Sequence, residues 1–94
     1  MPAPASRLTP AQAATRDMRR AALGRVIRDA RTDAGMSQAE LATASTTSRA
    51  TIGRLEAGTG AVSSDVLWEL ALALGLTPAE LFERAQAAEA APQQ

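Results

Sequence analysis

Residues 37–56 read SQAELATASTTSRATIGRLE, and this stretch decides the fold. It contains two short helical patterns, Gln38–Ser45 and Arg49–Glu56, separated by a run of hydroxyl residues. The residues predicted to face inward are Leu41, Ala42 and Ser45 in the first helix and Ile52 and Leu55 in the second. Helices this short are unstable alone, so both must pack on each other and on the rest of the chain.

Two short helices joined by a short turn are typical of a helix-turn-helix, whose second helix can lie in the DNA major groove. Because Ile52 and Leu55 point inward, the outward face of the second helix carries Arg49, Ala50, Gly53 and Arg54. These four residues are the predicted base-reading set. Arg49 can reach guanine O6 and N7 with both arms of its guanidinium, whereas Ala50 and Gly53 would let the helix approach closely.

Helix start signals divide the rest of the chain. Thr9-Pro10-Ala11-Gln12, Ser37-Gln38-Ala39-Glu40 and Thr77-Pro78-Ala79-Glu80 each combine a hydroxyl N-cap with Gln or Glu three residues later. The first predicted helix runs from Pro10 to Ala34, either unbroken or interrupted near Arg16–Met18, with Leu23, Ile27, Ala30 and Ala34 facing inward. A fourth starts at Ser63 or Ser64 and ends at Leu74, and a fifth enters the Ala-rich tail and stops before Pro92.

The chain is therefore predicted to be all-α: a compact five-helix bundle, with an extended or additional N-terminal helix. Residues 1–17 are expected to form a flexible or partly helical arm, residues 18–86 the helix-turn-helix domain and residues 87–94 an Ala-rich tail. No strand pattern is present in the sequence.

Composition limits the function classes. Cysteine and histidine are absent, which removes disulfides, thiolate metal sites and the commonest general base. No enzyme activity, metal or cofactor is therefore expected. No apolar run is long enough for a membrane span, and the N-terminus lacks the apolar segment of a signal peptide. We expect a cytoplasmic protein, bacterial or phage-encoded and associated with the nucleoid.

Charge is balanced overall but not along the chain. Residues 1–56 carry nine arginines and five acidic residues, a net charge of +4, and residues 57–94 carry one arginine and five acidic residues, a net charge of −4. Such asymmetry predicts one basic and one acidic surface. Double-stranded DNA is the partner that fits the basic half.

Four segments in order resemble the phage-repressor and Cro-like helix-turn-helix family, the xenobiotic-response-element group of bacterial regulators. They are Leu23–Arg31, Gly35–Ala42, Ser48–Gly58 and Leu70–Phe82. The resemblance implies a five-helix DNA-binding domain. It also implies that Gln38 contacts phosphate and supports a base reader, and that Arg31 pairs with Glu56.

The chain departs from the family pattern in two places. Thr46 stands where the turn usually carries glycine, and Thr47 where it carries an apolar residue. The segment Ala57–Val62 lacks the basic residues that commonly hold phosphate after the recognition helix. Phosphate contacts are expected instead from Thr47, from Ser48 and from the arginine-rich first helix, represented by Arg20.

Trp68 and Leu72 lie four residues apart on the fourth helix, away from its inward residues. A large exposed aromatic beside leucine predicts a protein contact, and we assign it to a homodimer. The predicted function is a sequence-specific transcriptional regulator, a repressor acting as a homodimer on an inverted repeat. Three alternatives share the fold: an antitoxin with a toxin partner, a restriction–modification controller, and a helical module that binds another protein or regulator without DNA.

Overall fold

The computed structural model describes residues 7–90, which fold into five α-helices and contain no strand. The prediction of an all-α five-helix bundle is confirmed. In chain order the helices are α1 (Pro10–Asp33), α2 (Gln38–Ser45), α3 (Arg49–Glu56), α4 (Ser64–Ala73) and α5 (Pro78–Ala90).

Side-chain caps define where the helices begin. Thr9 and Gln12 bond each other's backbone N–H groups at the start of α1, and Ser37 with Glu40 and Thr77 with Glu80 do the same at α2 and α5. Each pair satisfies two N–H groups that a helix start leaves without a helical partner. The three predicted capping boxes are therefore confirmed.

The first helix is continuous over 24 residues, so the chain does not break near Arg16–Met18. The only glycine in α1 is Gly24, and its one proline, Pro10, occupies the first helical position, where it is tolerated. The predicted boundary between the N-terminal arm and the domain, after residue 17, falls inside α1. Helix α5 continues into residues 87–90 of the predicted Ala-rich tail. Residues 1–6, residues 91–94 and the stop at Pro92 lie outside the described residues.

Apolar residues from all five helices form one core. Its fully buried large side chains are Ile27, Leu41, Ile52, Leu70 and Leu81. One predicted inward position on α1, Ala34, is wrong. Leu23 is only half-buried and packs on the edge of the core, and Ala34 is exposed because α1 ends one residue earlier.

Helix α1 approaches the α3 backbone closely at a glycine, Gly24. A Cβ atom on Gly24 would lie 2.2 Å from the carbonyl oxygen of Leu55 and 2.9 Å from that of Glu56. Gly58, just after α3, approaches Ala21 in the same way, at 3.1 Å for an added Cβ. The end of α3 therefore rests directly on the α1 backbone, which sets the orientation of α3.

The turn between α2 and α3 requires a left-handed residue. Thr46 ends α2 with φ 52° and ψ 34°, the only positive φ outside glycine in the described part of the chain. Its neighbour Thr47 donates its backbone N–H to the carbonyl of Ala42 at 3.0 Å. The glycine usual at this position in the family would adopt the same conformation without steric cost.

Thr46→Gly is expected to raise the free energy of unfolding by about 0.5–1 kcal/mol. The steric cost of a left-handed threonine, about 1–2 kcal/mol, exceeds the extra freedom that glycine gives the unfolded chain, about 0.4–1 kcal/mol. Denaturant unfolding followed by circular dichroism measures the change. The control is Thr43→Gly, in the helical interior of α2, which is expected to destabilise. A less stable Thr46→Gly protein would contradict the assignment of strain to this residue.

No helix in residues 7–90 is both long and apolar enough to cross a membrane.

Candidate nucleic-acid interface

The outward face of α3 is the centre of the candidate interface. Ile52 is fully buried and Leu55 nearly so, which leaves the opposite side of the helix in solvent. Arg49, Ala50 and Arg54 are exposed and Gly53 is half-exposed. The four residues predicted to read bases therefore share one accessible face, and Ala50 and Gly53 form a shallow, small-residue strip between the two arginines.

The two arginines of this face differ in their freedom. Arg54 donates to the Thr51 hydroxyl at 3.4 Å, a weak bond that leaves most of its guanidinium available. Arg49 takes part in none of the ion pairs formed within residues 7–90. A planar guanidinium at the start of the helix is thus free to make bidentate hydrogen bonds.

A hydrogen-bonded ion pair holds α3 against the two preceding helices. Arg31 Nε and Nη2 donate to the two carboxylate oxygens of Glu56 at 2.6 and 3.0 Å, and Arg31 Nη1 donates to the Met36 carbonyl at 2.8 Å. Gln38 Nε2 donates to Glu56 Oε1 at 3.0 Å. The pair expected from the resemblance is present, and α1, α2 and α3 meet at one carboxylate.

The pKa values of Glu56 and Arg31 are both shifted in the direction that keeps the pair charged. Burial raises the pKa of Glu56, because its side chain is only 5% exposed. Hydrogen bonds from Arg31 and Gln38, with the nearby charges of Arg31 and Arg28, outweigh burial and lower the pKa below the ordinary 4.5. The hydrogen bond to Glu56 raises the pKa of Arg31 against desolvation. Both groups stay charged near neutral pH.

The predicted phosphate-binding groups are partly engaged within the protein. Gln38 uses one amide N–H on Glu56, which leaves one donor for another acceptor. Thr47 donates to the Ser45 carbonyl at 3.2 Å. Ser48 accepts from the Thr51 N–H at 3.0 Å and donates to the Thr51 hydroxyl at 2.8 Å. Ser48 is first of all the cap of α3.

The loop after α3 contributes no cationic side chain. Thr59 caps the end of α3, since its N–H and its hydroxyl both donate to the Arg54 carbonyl, at 3.0 and 3.2 Å. The described residues from 55 to 83 include no arginine or lysine. Arg20 lies elsewhere, half-buried in a groove between α1 and α5. The arginines nearest in sequence to the outward face of α3 are therefore those of α1 and of α3 itself.

Two further exposed apolar side chains lie on α4. Trp68 is 57% exposed and Leu72 is 63% exposed, so neither folds under another element in residues 7–90. The sequence reasoning missed a third such residue, Phe82 on α5, which is 46% exposed. The spacing of buried Leu81 and Ala85 carried that signal, because an i, i+4 inward pair turns the residue after Leu81 away from the core.

Comparison with known proteins places this geometry in a family. The sequence model described as helix-turn-helix matches residues 27–81. Two crystal structures of the clp gene regulator ClgR from Corynebacterium glutamicum are 38% identical to the chain over 77% of its length. They superpose with TM-scores of 0.73 and 0.71, and the match covers 77% and 92% of those chains.

A third solved structure is similar. The restriction-modification controller protein C.AhdI from Aeromonas hydrophila is 38% identical, with a TM-score of 0.65, over 67% of this chain and 96% of that one. No curated protein sequence matches the chain. At these identities the shared fold reflects common descent.

Proposed function

Because the chain belongs to the helix-turn-helix family of DNA-binding transcriptional regulators, we propose that it acts as a homodimeric repressor on an inverted-repeat operator. The observation that carries this proposal is the free, small-residue face of α3, with Arg49 and Arg54 at its two ends. Its site of action is the bacterial nucleoid in the cytoplasm. Two copies related by a twofold axis would place two α3 helices in successive major grooves, about 10 bp apart or a multiple of that.

Base reading is assigned to α3 and positioning to its surroundings. Arg49 and Arg54 contact base edges, while Ala50 and Gly53 bring the helix close to the bases. Gln38, Thr47, Ser48 and Arg20 contact phosphates. The engaged hydroxyl of Ser48 and the absence of arginine and lysine from the loop after α3 mean that phosphate contacts are few, so a second subunit contributes much of the affinity.

Arg49→Ala is expected to weaken operator binding about 10- to 100-fold and to relax base preference at one position of each half-site, because a bidentate contact discriminates by about 1–3 kcal/mol. Arg20→Ala is expected to weaken all DNA sequences alike and to reduce the salt slope of log K by about one. Selection of bound sequences from a random library, followed by titrations at several salt concentrations, measures both effects. Equal losses on specific and random DNA for the two variants would refute the assignment.

Trp68→Glu is expected to shift the protein to monomer and to reduce operator affinity at least tenfold. The reason is that a charge placed among the exposed Trp68 and Leu72 side chains would oppose burial of that surface against a second copy. Sedimentation equilibrium gives the association constant. Met18→Glu, at another exposed apolar residue on α1, is the control and should leave the association constant unchanged. Dimeric Trp68→Glu protein would place the interface elsewhere.

The relatives suggest two kinds of target, a clp-type gene set and a restriction–modification locus. An antitoxin role would add a toxin partner on the same fold. Genome-wide footprinting in the host separates these functions, since each predicts a different neighbouring gene. No retardation of any DNA at low salt would instead favour a helical module that binds protein alone.

A further inference from the structure

Helices α1 and α5 enclose a groove of about 570 Å³. Its apolar lining is formed by Leu23, Phe82 and Ala85, and three arginines, Arg16, Arg19 and Arg20, lie along α1 beside it. Every residue that lines the groove precedes residue 27 or follows residue 81. The groove therefore lies wholly outside the segment that matches the family model.

The arginines of the groove are not equivalent. Arg16 pairs with Asp17 at 3.1 Å and Arg19 with Glu89 at 3.5 Å. Arg20 is half-buried, and no carboxylate within residues 7–90 comes within ion-pair distance of it. A partly desolvated guanidinium without a counter-ion binds an incoming anion more strongly than a fully solvated one would.

Phe82 contributes the largest side chain to the apolar lining of the groove. Its ring is 46% exposed, although the same helix buries Leu81 completely. The half-buried Leu23 and the buried Ala85 complete the apolar lining. The guanidinium of Arg20 thus lies at the edge of an apolar surface. This arrangement is complementary to a molecule with a negatively charged end and an apolar body.

We propose that this groove binds a small molecule that carries one carboxylate on an apolar body. The volume lies within the range of about 300–1,000 Å³ that small-molecule sites occupy. The fork of a guanidinium matches the two oxygens of a carboxylate, and Phe82 and Leu23 bury the apolar body. Arg20 is also the proposed phosphate contact, so ligand and DNA would compete for the same side chain.

The experiment is a titration of the ¹⁵N-labelled full-length protein, without DNA, with 4-phenylbutyrate as the probe. Amide chemical shifts report where the probe binds and how tightly. The neutral analogue 4-phenylbutanamide tests the carboxylate, and Arg20→Gln tests its partner. Arg84→Gln, an exposed arginine of α5 outside the groove, is the matched control. Thermal unfolding of each variant shows that it is folded.

The expected result is saturable binding with shifts concentrated in residues 16–23 and 82–89. Loss of the probe's charge or of Arg20 should each weaken binding at least about tenfold, as expected for a charge-assisted hydrogen bond, and Arg84→Gln should not change it. Non-saturable binding at millimolar probe, equal affinity for the amide, or shifts centred elsewhere would overturn the proposal. Shifts of the same amides with protein concentration alone would show instead that a second copy fills the groove. Because DNA is absent, failure here leaves the proposed regulatory function untouched.

Discussion

Gly24→Ala is expected to destabilise the protein by about 3 kcal/mol or more, because an added Cβ has less room here than at any other glycine within residues 7–90. The added Cβ would lie 2.2 Å from the Leu55 carbonyl oxygen and 2.9 Å from that of Glu56. Both atoms belong to the α3 backbone, so no side-chain rotation can relieve the overlap. Either α3 moves away from α1 or the contact between them is lost.

Displacement of α3 is itself costly. Leu55 and Ile52 are buried in the core on the same short helix, and the Arg31–Glu56 pair fixes its last turn. A shift of about 1 Å would loosen both contacts, and close-packed interiors do not compensate for such shifts. For a domain whose total stability is about 5–15 kcal/mol, a loss of this size removes between about a fifth and more than half of the free energy of unfolding.

Gly53→Ala is the matched control, because it makes the same chemical change in the interior of α3. The nearest atom to its added Cβ is Gln38 Oε1, at 4.0 Å, so the methyl group meets no obstacle. Alanine should then stabilise the helix by about 0.5–1 kcal/mol. Chemical denaturation followed by circular dichroism measures both variants. Similar free-energy changes for the two would mean that the α1–α3 contact is looser than the structure has it.

The operator affinity of Gly53→Ala distinguishes two roles for Gly53, close approach of the helix to the bases or a tolerated helix interruption. If the helix lies close to the bases at this position, Gly53→Ala should lose operator affinity although it gains stability. If Gly53 is only a tolerated helix interruption, operator affinity should stay unchanged. A stabilised protein with weakened DNA binding is a result that no general folding defect can produce.

The two glycines also show where sequence reasoning stops. Glycine is unfavourable inside a helix, and the helical pattern placed Gly53 correctly on the outward face. Gly24 has the same local cost, but its reason is the backbone of a helix about 30 residues later. Contacts of that kind depend on the tilt between helices, which a pattern of inward residues does not determine.

Local signals were sufficient for most of the fold. The three capping boxes and the inward residues of α2 and α3 follow from interactions within four residues, and the structure contains them. The pair of Arg31 with Glu56 was accessible through the family resemblance alone. The groove between α1 and α5 was not accessible at all, because it forms where the ends of the described chain pack side by side.

Glu56→Ala is expected to cost about 3 kcal/mol of stability at pH 7, since breaking a buried pair leaves an uncompensated charge. Arg31 would keep its bond to the Met36 carbonyl but lose both carboxylate contacts, in a site where its own side chain is only 15% exposed. Gln38 would also lose its acceptor. Glu56→Gln preserves the shape and one acceptor, so its loss should be smaller, and the difference between the two measures packing and hydrogen bonding apart from charge.

The pH dependence of unfolding shows how much of the Glu56 contribution comes from its negative charge. The folded pKa of Glu56 is lower than its unfolded value, so the ionised carboxylate stabilises the folded state above the ordinary value of 4.5. That stabilisation decreases as pH falls through the lowered folded pKa. The free-energy difference between wild type and Glu56→Gln should therefore be full at pH 7 and shrink steadily below about pH 4.5. Denaturant titrations at pH 7, 4.5 and 3 measure it.

Two other carboxylates also contribute to the loss of stability at acid pH. Backbone and side-chain hydrogen bonds in the capping boxes also lower the pKa values of Glu40 and Glu80, so Glu56→Gln should keep some acid sensitivity. Glu83→Gln is the control, because Glu83 is exposed and takes part in no ion pair within residues 7–90. If the difference between wild type and Glu56→Gln stays constant from pH 7 to pH 3, the contribution of Glu56 is packing rather than charge. In that case the charge of the carboxylate that joins α1, α2 and α3 would add nothing to stability, and the orientation of α3 would rest on Gly24, on the core and on the packing of residue 56.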